Sequence, residues 1–101
     1  MRVMVLFDLP MKTTAERRSY SHFRKYLLKQ GFIMLQKSVY TKIVLNLTAA
    51  KVIMENIREN KPTKGLVQMI TITEKQYARM ESVVGEYQTA TIETTDRLVI
   101  L

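Results

Sequence analysis

The sequence predicts a single α+β domain, in which one antiparallel sheet carries two helices on one of its faces. β-rich and helical segments follow each other in the order β-α-β(β)-α-β, and capping residues, glycines or a proline separate them. A chain of 101 residues has room for one such pair of layers. We therefore expect one domain over residues 1–101, with a core over 1–85 and a C-terminal extension over 86–101.

The first strand and the first helix are clearly marked. The strand is predicted at Arg2–Asp8, an apolar run that ends in a carboxylate. The helix is predicted from a capping box, with Thr13 as N-cap and Glu16 three residues later, to Gln30, because Gly31 then provides a stop. Three side chains at helical spacing are expected to face the core: Tyr20, Phe23 and Leu27.

The middle of the chain predicts more sheet and a second helix. Residues 32–44 are β-rich, and Gln36-Lys37-Ser38 interrupts them either as a bulge in one bent strand or as a break between two strands. Thr48 is predicted to cap the second helix, and Pro62 lies beyond its end. The buried side of this helix is expected to hold Ala50, Ile53, Met54 and Ile57.

The last part of the chain predicts further strands. Gly65 precedes a strand over 66–72, and Thr73 begins a second capping box over a short helical turn. A short strand is predicted at 82–84, an extended connection at 86–96 and an apolar strand at 97–101. That final strand either pairs with a sheet edge of a second subunit or adds an edge within one monomer. The order of elements is that of the ferredoxin-like, split βαβ fold.

Composition excludes several classes of protein. The chain has no cysteine, which excludes disulfides and thiolate metal sites. No apolar run approaches the ~20 residues that span a bilayer, and the N-terminal run is too short for a signal peptide. We therefore expect a cytoplasmic protein with no membrane partner. A catalytic triad would need His22, the one histidine, and three glycines form no phosphate-binding loop.

The charge is positive and concentrated on the first helix. Sixteen Lys and Arg residues face nine Asp and Glu residues, a net charge of +7, which favours a polyanionic partner. An ordinary solvated helix face would mix charges of both signs, whereas this helix has Glu16 as its one acid. Phosphate binding and a merely solvated face both remain open. The basic stripe comprises Arg18, His22, Lys25 and Lys29, flanked by Arg17 and Arg24.

Asp8 is the most informative single position. Only two of the 101 residues are aspartates, and this one ends a buried strand, where open α/β sheets usually bind ligands. A carboxylate there can hold a hard cation such as Mg²⁺. One carboxylate holds such an ion poorly, so the position suggests a second copy nearby and therefore a dimer. The alternative is an aspartate that caps the following turn through its own side chain.

Several short motifs stand out along the chain: Leu6-Phe-Asp-Leu-Pro10, Glu16-Arg-Arg18, Phe23-Arg-Lys-Tyr-Leu27, Gly31-Phe32 and Leu35-Gln-Lys-Ser-Val-Tyr40. Together they resemble the Cas2 family, the small CRISPR-associated adaptation proteins that are dimeric partners of the CRISPR spacer integrase. The closing run over residues 94–101 is similar to the branch found with type II systems.

This resemblance implies a ferredoxin-like homodimer with Mg²⁺, or Mn²⁺ as a substitute, held between two copies of Asp8. It implies a metal-dependent endonuclease or endoribonuclease, and assembly with the integrase to insert new spacers. The nucleic acid would be protospacer duplex DNA or single-stranded RNA. A non-catalytic, DNA-binding adaptor is the alternative, and a metabolite-sensing domain is a third hypothesis that the basic helix disfavours.

The resemblance also assigns roles to individual residues. Asp8 matches the metal-binding, catalytic aspartate, and Arg17 and Arg18 match a basic pair that contacts the nucleic-acid backbone. Lys25 and Lys37 are predicted to bind nucleic acid with them. Gln36, Ser38 and Tyr40 belong to a motif at the bend, where a satisfied bulge is the alternative to a catalytic role.

Two positions depart from the family pattern. Phe7 stands where many members have Tyr, and Met34 stands where several nuclease members have Arg. The absence of both polar groups predicts that metal binding is retained while hydrolysis is weakened.

Overall fold

The computed structural model describes residues 1–85 and shows a four-stranded antiparallel sheet with both long helices on one face. The predicted α+β, ferredoxin-like fold is confirmed. The elements are β1 (Arg2–Asp8), α1 (Thr14–Lys29), β2 (Ile33–Gln36), β3 (Val39–Ile43), α2 (Leu47–Glu59), β4 (Leu66–Ile72) and α3 (Glu74–Ala78).

The first strand lies at the centre of the sheet. The strand order is β2-β3-β1-β4, so β1 pairs with β3 on one side and with β4 on the other, antiparallel in both cases. The pairing with β4 runs the full length of β1, from Arg2 opposite Ile72 to Asp8 opposite Leu66. The end of β1 that carries Asp8 is therefore held by main-chain pairing rather than left as a free loop.

The hydrophobic core lies between the sheet and the two helices. Alternate β1 residues face it, and Phe7 is the largest of them, with its ring edge-on to Phe23 at 5.2 Å and stacked on Tyr40 at 5.7 Å. The helices contribute the other fully buried side chains that the 3.6-residue period predicts: Phe23 and Leu27 from α1, and Ala50 and Ile57 from α2. Tyr20, Ile53 and Met54 are partly buried against the same core.

The interruption at residues 36–38 contains both of the predicted features. It is a break between two strands, because Lys37 and Ser38 form the turn between β2 and β3. The register also shifts between Met34 and Gln36, which is a bulge in β2 just before that turn.

Three of the four ends of the two long helices lie where the capping and stop residues predicted them. Thr13 forms the predicted capping box with Glu16, and the chain leaves α1 through Gly31 at φ +93°. Thr48, however, was the wrong cap for α2. The cap is Asn46, whose extended backbone lets its side chain accept a hydrogen bond from the Ala49 amide at 2.9 Å. Thr48 already lies inside the first turn.

The predicted strand at 82–84 is also wrong. Val83 and Val84 are 84% and 91% exposed and lie in a bend, with no described strand beside them to pair with. The second capping box, at Thr73 and Gln76, is confirmed over α3. The predicted connection at 86–96 and strand at 97–101 lie outside the described residues. Within residues 1–85, none of the helices has the length and apolar character that crossing a membrane requires.

Candidate functional site

The face of the sheet that points away from the helices is largely apolar and uncovered by the described residues. Met4 and Asp8 point to it from β1, because Phe7 and the other core residues alternate with them. Residues opposite each other in an antiparallel pair share a face, which places neighbouring strands on it as well. Its large exposed members are Ile33 (49%), Ile43 (62%), Leu66 (54%) and Ile70 (51%). We call this surface the open sheet face.

Asp8 lies at one rim of the open sheet face. Its side chain is exposed, and no residue among 1–85 forms a hydrogen bond or an ion pair with the carboxylate. The alternative interpretation, in which Asp8 caps the following turn through its side chain, is therefore wrong for the described part of the chain. The opposite rim is occupied, because Arg2 pairs there with Glu74 at 3.0 Å and stacks over Tyr77 at 3.8 Å.

The turn between β2 and β3 lies beside the end of β1. The Phe7 amide donates to the Ser38 carbonyl at 3.0 Å, and the Tyr20 hydroxyl donates to the Lys37 carbonyl at 3.2 Å. These two bonds tie the turn to β1 and to α1. The structure thus brings three predicted residues, Gln36, Lys37 and Ser38, to the same end of the sheet as Asp8, and the side chains of the first two are exposed.

Tyr40, the third motif residue, belongs to the core. Its side chain is fully buried, with the Arg24 guanidinium close to its hydroxyl. Burial raises the pKa of this phenol, while the positive charge of the nearby Arg24 opposes that rise. A buried, neutral phenol on the helix side of the sheet does not reach a ligand at Asp8, so its place in the motif is explained by packing against Phe7.

The two departures from the family pattern also lie away from the Asp8 carboxylate. Phe7 is 5% exposed and faces the helices, so within one protomer a hydroxyl at that position would lie on the opposite side of the sheet from Asp8. Met34 is opposite Tyr40 on the edge strand β2 and is 40% exposed. Neither position therefore removes a group from the immediate surroundings of Asp8 in one protomer.

The basic residues of α1 form a shallow groove on the surface of the helix. Arg18 and Lys25 are exposed there and make no ion pair with any of residues 1–85. This free pair has the property expected of a phosphate-binding surface. The groove is lined by Thr14, Arg17, Arg18, Ser21, His22 and Lys25.

Arg17 has a different role from its neighbour. One guanidinium nitrogen donates to the Met11 carbonyl at 3.2 Å and to the Lys12 carbonyl at 3.0 Å, and the other donates to the Thr14 hydroxyl at 3.4 Å. The side chain therefore closes the loop between β1 and α1. Sequence reasoning treated Arg17 and Arg18 as equivalent, whereas only Arg18 is free of intramolecular hydrogen bonds in the described chain.

Glu16 connects the two loops beside Asp8. Its Oε1 accepts hydrogen bonds from the Lys12 amide at 2.9 Å and from the Thr13 amide at 3.1 Å, and its Oε2 lies 3.9 Å from the Lys64 ammonium. The capping-box spacing predicted the bond with Thr13. The approach of Lys64 was not predicted, because no short-range pattern links residues so far apart in the chain.

The pH dependence of stability provides a test of this connection. The Thr13 amide lowers the pKa of Glu16 below its ordinary 4.5, so the folded state binds the proton less readily than the unfolded state. The contribution is thus fully present above pH 4.5 and is lost as the pH falls through the lower folded pKa. We expect Glu16→Gln to have a shallower decline of the unfolding temperature than wild type below pH 4.5. Equal slopes in calorimetry would contradict it.

A metal ion cannot be fully held by the described part of one chain. Residues 1–85 contain no group of three or more His, Cys, Asp or Glu side chains close enough to share an ion. Asp8 offers one free carboxylate, and Mg²⁺ is commonly bound by one or two carboxylates that leave the other positions to water and phosphate. The Asp8 carboxylate therefore fits such an ion as one of these ligands, and a second copy of Asp8 would supply another.

Comparison with known proteins supports the resemblance seen in the motifs. The family model for CRISPR associated protein Cas2 matches residues 1–80. The chain is 57% identical over 101 residues to a protein of Treponema denticola named CRISPR-associated endoribonuclease Cas2, covering all of both chains. It is 46% identical to the protein of that name from Streptococcus mutans, covering 100% of this chain and 93% of the relative.

A solved structure has the same fold at low sequence identity. The crystal structure of Streptococcus pyogenes Cas2 at pH 6.5 aligns with a TM-score of 0.62 at 19% identity, and the match covers 83% of this chain and 100% of that one. At this identity the likeness supports the arrangement of strands and helices.

Proposed function

We propose a role in CRISPR adaptation for this chain, which belongs to the CRISPR-associated protein Cas2 family. In this role it acts as a homodimeric, metal-dependent endoribonuclease and binds nucleic acid through the phosphates of the nucleic acid. The observation that carries the proposal is the position of Asp8, whose exposed carboxylate lies at the rim of an apolar sheet face that residues 1–85 leave uncovered. A second copy that covers this face, with the two-fold axis beside Asp8, would bring two such carboxylates together.

The dimer is proposed from the composition of the open sheet face. Its exposed isoleucines and leucine would lose contact with water on association, which is favourable by about 25 cal/mol for each Å² of apolar surface buried. In a two-fold dimer the same patch lies on both partners, so a single surface must be complementary to itself. The exposed apolar residues of the open sheet face meet this condition, since Leu66 and Ile70 of one copy can pack on apolar residues of the same face of the other.

In the proposed dimer, the Asp8 carboxylates would be the ligands of the cation that phosphodiester cleavage requires. Two Asp8 carboxylates near one axis repel each other unless a proton or a cation lies between them. The two Asp8 carboxylates would hold a divalent cation there, which would supply a coordinated water of lowered pKa and positive charge to offset that of the phosphate. We expect the exposed Lys37, in the adjoining turn, and Gln36, at the end of β2, to contact a nucleic-acid strand that approaches Asp8.

Nucleic-acid binding is proposed for the free basic residues of α1. Arg18 and Lys25 are exposed along the groove, and contacts of this type read the phosphate backbone rather than the bases. Such binding suits a protein that must accept protospacer DNA of any sequence. The adaptor hypothesis, in which the dimer holds duplex DNA and positions the spacer integrase, rests on this same surface and requires no chemistry at Asp8.

Arg17 and Arg18 differ in their intramolecular hydrogen bonds, so we expect different effects when each is replaced. Arg18→Ala should reduce the salt dependence of duplex binding by about 0.9 in log K against log salt for each protomer that contacts a phosphate, with the unfolding temperature unchanged. Arg17→Ala should instead lower the free energy of unfolding by about 1 kcal/mol, because it releases the loop carbonyls. Fluorescence titrations at several salt concentrations and thermal unfolding measure these effects.

Arg58→Ala is the matched control for both arginines. It lies on α2, exposed and paired with Glu55, so its removal should change neither the salt slope nor the loop. A slope that is unaltered in Arg18→Ala would contradict the proposed binding surface.

The nuclease and adaptor proposals are separated by two measurements on the purified protein. Cleavage of single-stranded RNA and of duplex DNA is measured with Mg²⁺, with Mn²⁺ and with a chelator, and co-purification with the spacer integrase is measured in parallel. Cleavage that depends on the metal supports the endoribonuclease. Integrase binding without cleavage supports the adaptor, and failure of both would overturn the proposed function.

A further inference from the structure

The loop between α2 and β4 touches the end of β1 at Gly65. This glycine has φ +93°, and a Cβ atom placed on it would lie 2.7 Å from the Asp8 carbonyl oxygen. The same atom would lie 2.7 Å from Leu9 Cδ2 and 3.0 Å from Leu9 Cα. Cβ atoms essentially never lie within 3.0 Å of a nonbonded heavy atom, so only glycine lets the loop lie this close to the Asp8–Leu9 peptide.

The contact occurs at the last pair of residues in the central ladder. Asp8 is opposite Leu66, the residue that follows Gly65, and Leu9 then turns into the core, where it is 8% exposed. The backbone of Gly65 therefore supports the point at which the chain leaves β1. The neighbouring residue of this loop, Lys64, lies 3.9 Å from the Glu16 carboxylate at the start of α1.

We infer that Gly65 is a positioning residue for Asp8: the close approach of its backbone fixes the end of β1 and with it the direction in which the carboxylate projects. Gly65 itself does not touch a ligand; it acts through the main chain of Asp8. The inference rests on the proposed role of Asp8 in binding a divalent cation, but the contact that carries it exists within one protomer.

A methyl group at residue 65 would have to displace the Asp8–Leu9 peptide by several tenths of an ångström to reach an ordinary contact distance. Metal ligands must be held to within about 0.5 Å of their working geometry, and residues that orient them typically change metal affinity 10- to 100-fold when replaced. In the proposed dimer the displacement occurs twice, once for each carboxylate, so the two changes add at one site.

Gly31 provides a matched control. It also has φ +93°, so alanine there imposes a similar backbone strain. Its Cβ would meet the far end of the Lys42 side chain, at 2.6 Å from Nζ, and no part of β1 near Asp8. The comparison of Gly65→Ala with Gly31→Ala thus separates the contact with Asp8 from the general cost of a side chain at positive φ.

The experiment measures Mn²⁺ affinity by isothermal titration and, without metal, amide hydrogen exchange at residues 7–9. We expect Gly65→Ala to bind Mn²⁺ about 10-fold or more weakly than wild type and to exchange faster at residues 7–9. Gly31→Ala should match wild type in both measurements. If Gly65→Ala does not fold, Gly65→Asn and Gly31→Asn are compared instead, since asparagine tolerates positive φ while it keeps the Cβ.

The outcomes distinguish this inference from the proposed function. Unchanged exchange near Asp8 in the Gly65 variant, or equal losses in both glycine variants, would overturn the positioning role. A wild-type protein that binds no Mn²⁺ would defeat the proposed metal site. Faster exchange that is confined to the Gly65 variant would in that case still support the positioning of Asp8 by Gly65.

Discussion

Asp8→Asn should abolish metal-dependent cleavage while the dimer and its affinity for nucleic acid stay nearly intact. Asparagine has the shape of aspartate but no charge, so the fold at the end of β1 is preserved and the cation loses its anionic ligands. In the proposed dimer both carboxylates are lost together. We expect a fall in the cleavage rate of about 100-fold or more, by analogy with the loss of any group that stabilises developing charge.

The matched control for this substitution is Glu55→Gln. Glu55 is an exposed carboxylate on α2 that pairs with Arg58 at 2.6 Å, far from the end of β1, and its neutralisation should leave cleavage unchanged. Titration with Mg²⁺ and with Mn²⁺ accompanies the cleavage assay. Robust metal-dependent turnover that survives Asp8→Asn would place the active site elsewhere in the protein.

When metal is absent, Asp8→Asn should leave the dimer at least as stable as the wild-type dimer. Two ionised carboxylates near the same axis repel each other, and the substitution removes that repulsion. The metal-free variant is therefore expected to associate at least as tightly as the metal-free wild type. This behaviour is specific to the proposed arrangement, because an isolated surface carboxylate has no partner to repel.

The helices and strands could be predicted because short-range sequence patterns indicate where they begin and which of their faces is buried. Capping boxes at Thr13 and Thr73 mark helix starts by themselves, and the spacing of Phe23 and Leu27 identifies a buried face without knowledge of the rest of the chain. Where two candidate caps lie close together, sequence alone decides less well. Asn46 rather than Thr48 caps α2, because the Asn46 backbone is extended at the point where the chain leaves β3.

The site could be predicted only in part, because its geometry depends on contacts between distant residues. Asp8 was found from its position at the end of a strand, which is a local signal. The different roles of Arg17 and Arg18 depend on where the loop carbonyls of Met11 and Lys12 lie, and neighbouring residues of the same type carry no mark of this difference. Gly65 likewise reads as an ordinary loop glycine until the fold places it against Asp8.

Tyr40 shows a second limit of prediction from sequence, because a residue of a motif can belong to the core instead of the site. As part of a motif it was a candidate site residue, yet the fold buries it against Phe7 on the helix side of the sheet. A motif residue can be maintained by packing as well as by chemistry. Only the side of the sheet distinguishes the two cases here, since Gln36 and Ser38 of the same motif lie at the turn next to Asp8.

Ile70→Glu should convert the proposed dimer to a monomer. Ile70 lies opposite Met4 on β4, an edge strand of the open sheet face, and is 51% exposed. Association would bury its remaining surface, so an introduced carboxylate would lose its hydration. A two-fold dimer contains the change twice, as two like charges in an apolar contact. We expect dissociation to be favoured by about 100-fold or more, measured by analytical ultracentrifugation over a range of protein concentrations.

Val52→Glu is the control that makes this result specific. Val52 is a β-branched residue of similar exposure, 58%, but it lies on α2, the layer on the opposite side of the sheet from the open face. The same added charge there should leave the dimer intact. Loss of association in both variants would indicate a general effect of charge, and a stable dimer in Ile70→Glu would show that the two copies meet through another surface. That second result would also separate the two Asp8 carboxylates, so it would remove the basis for a metal site shared between them.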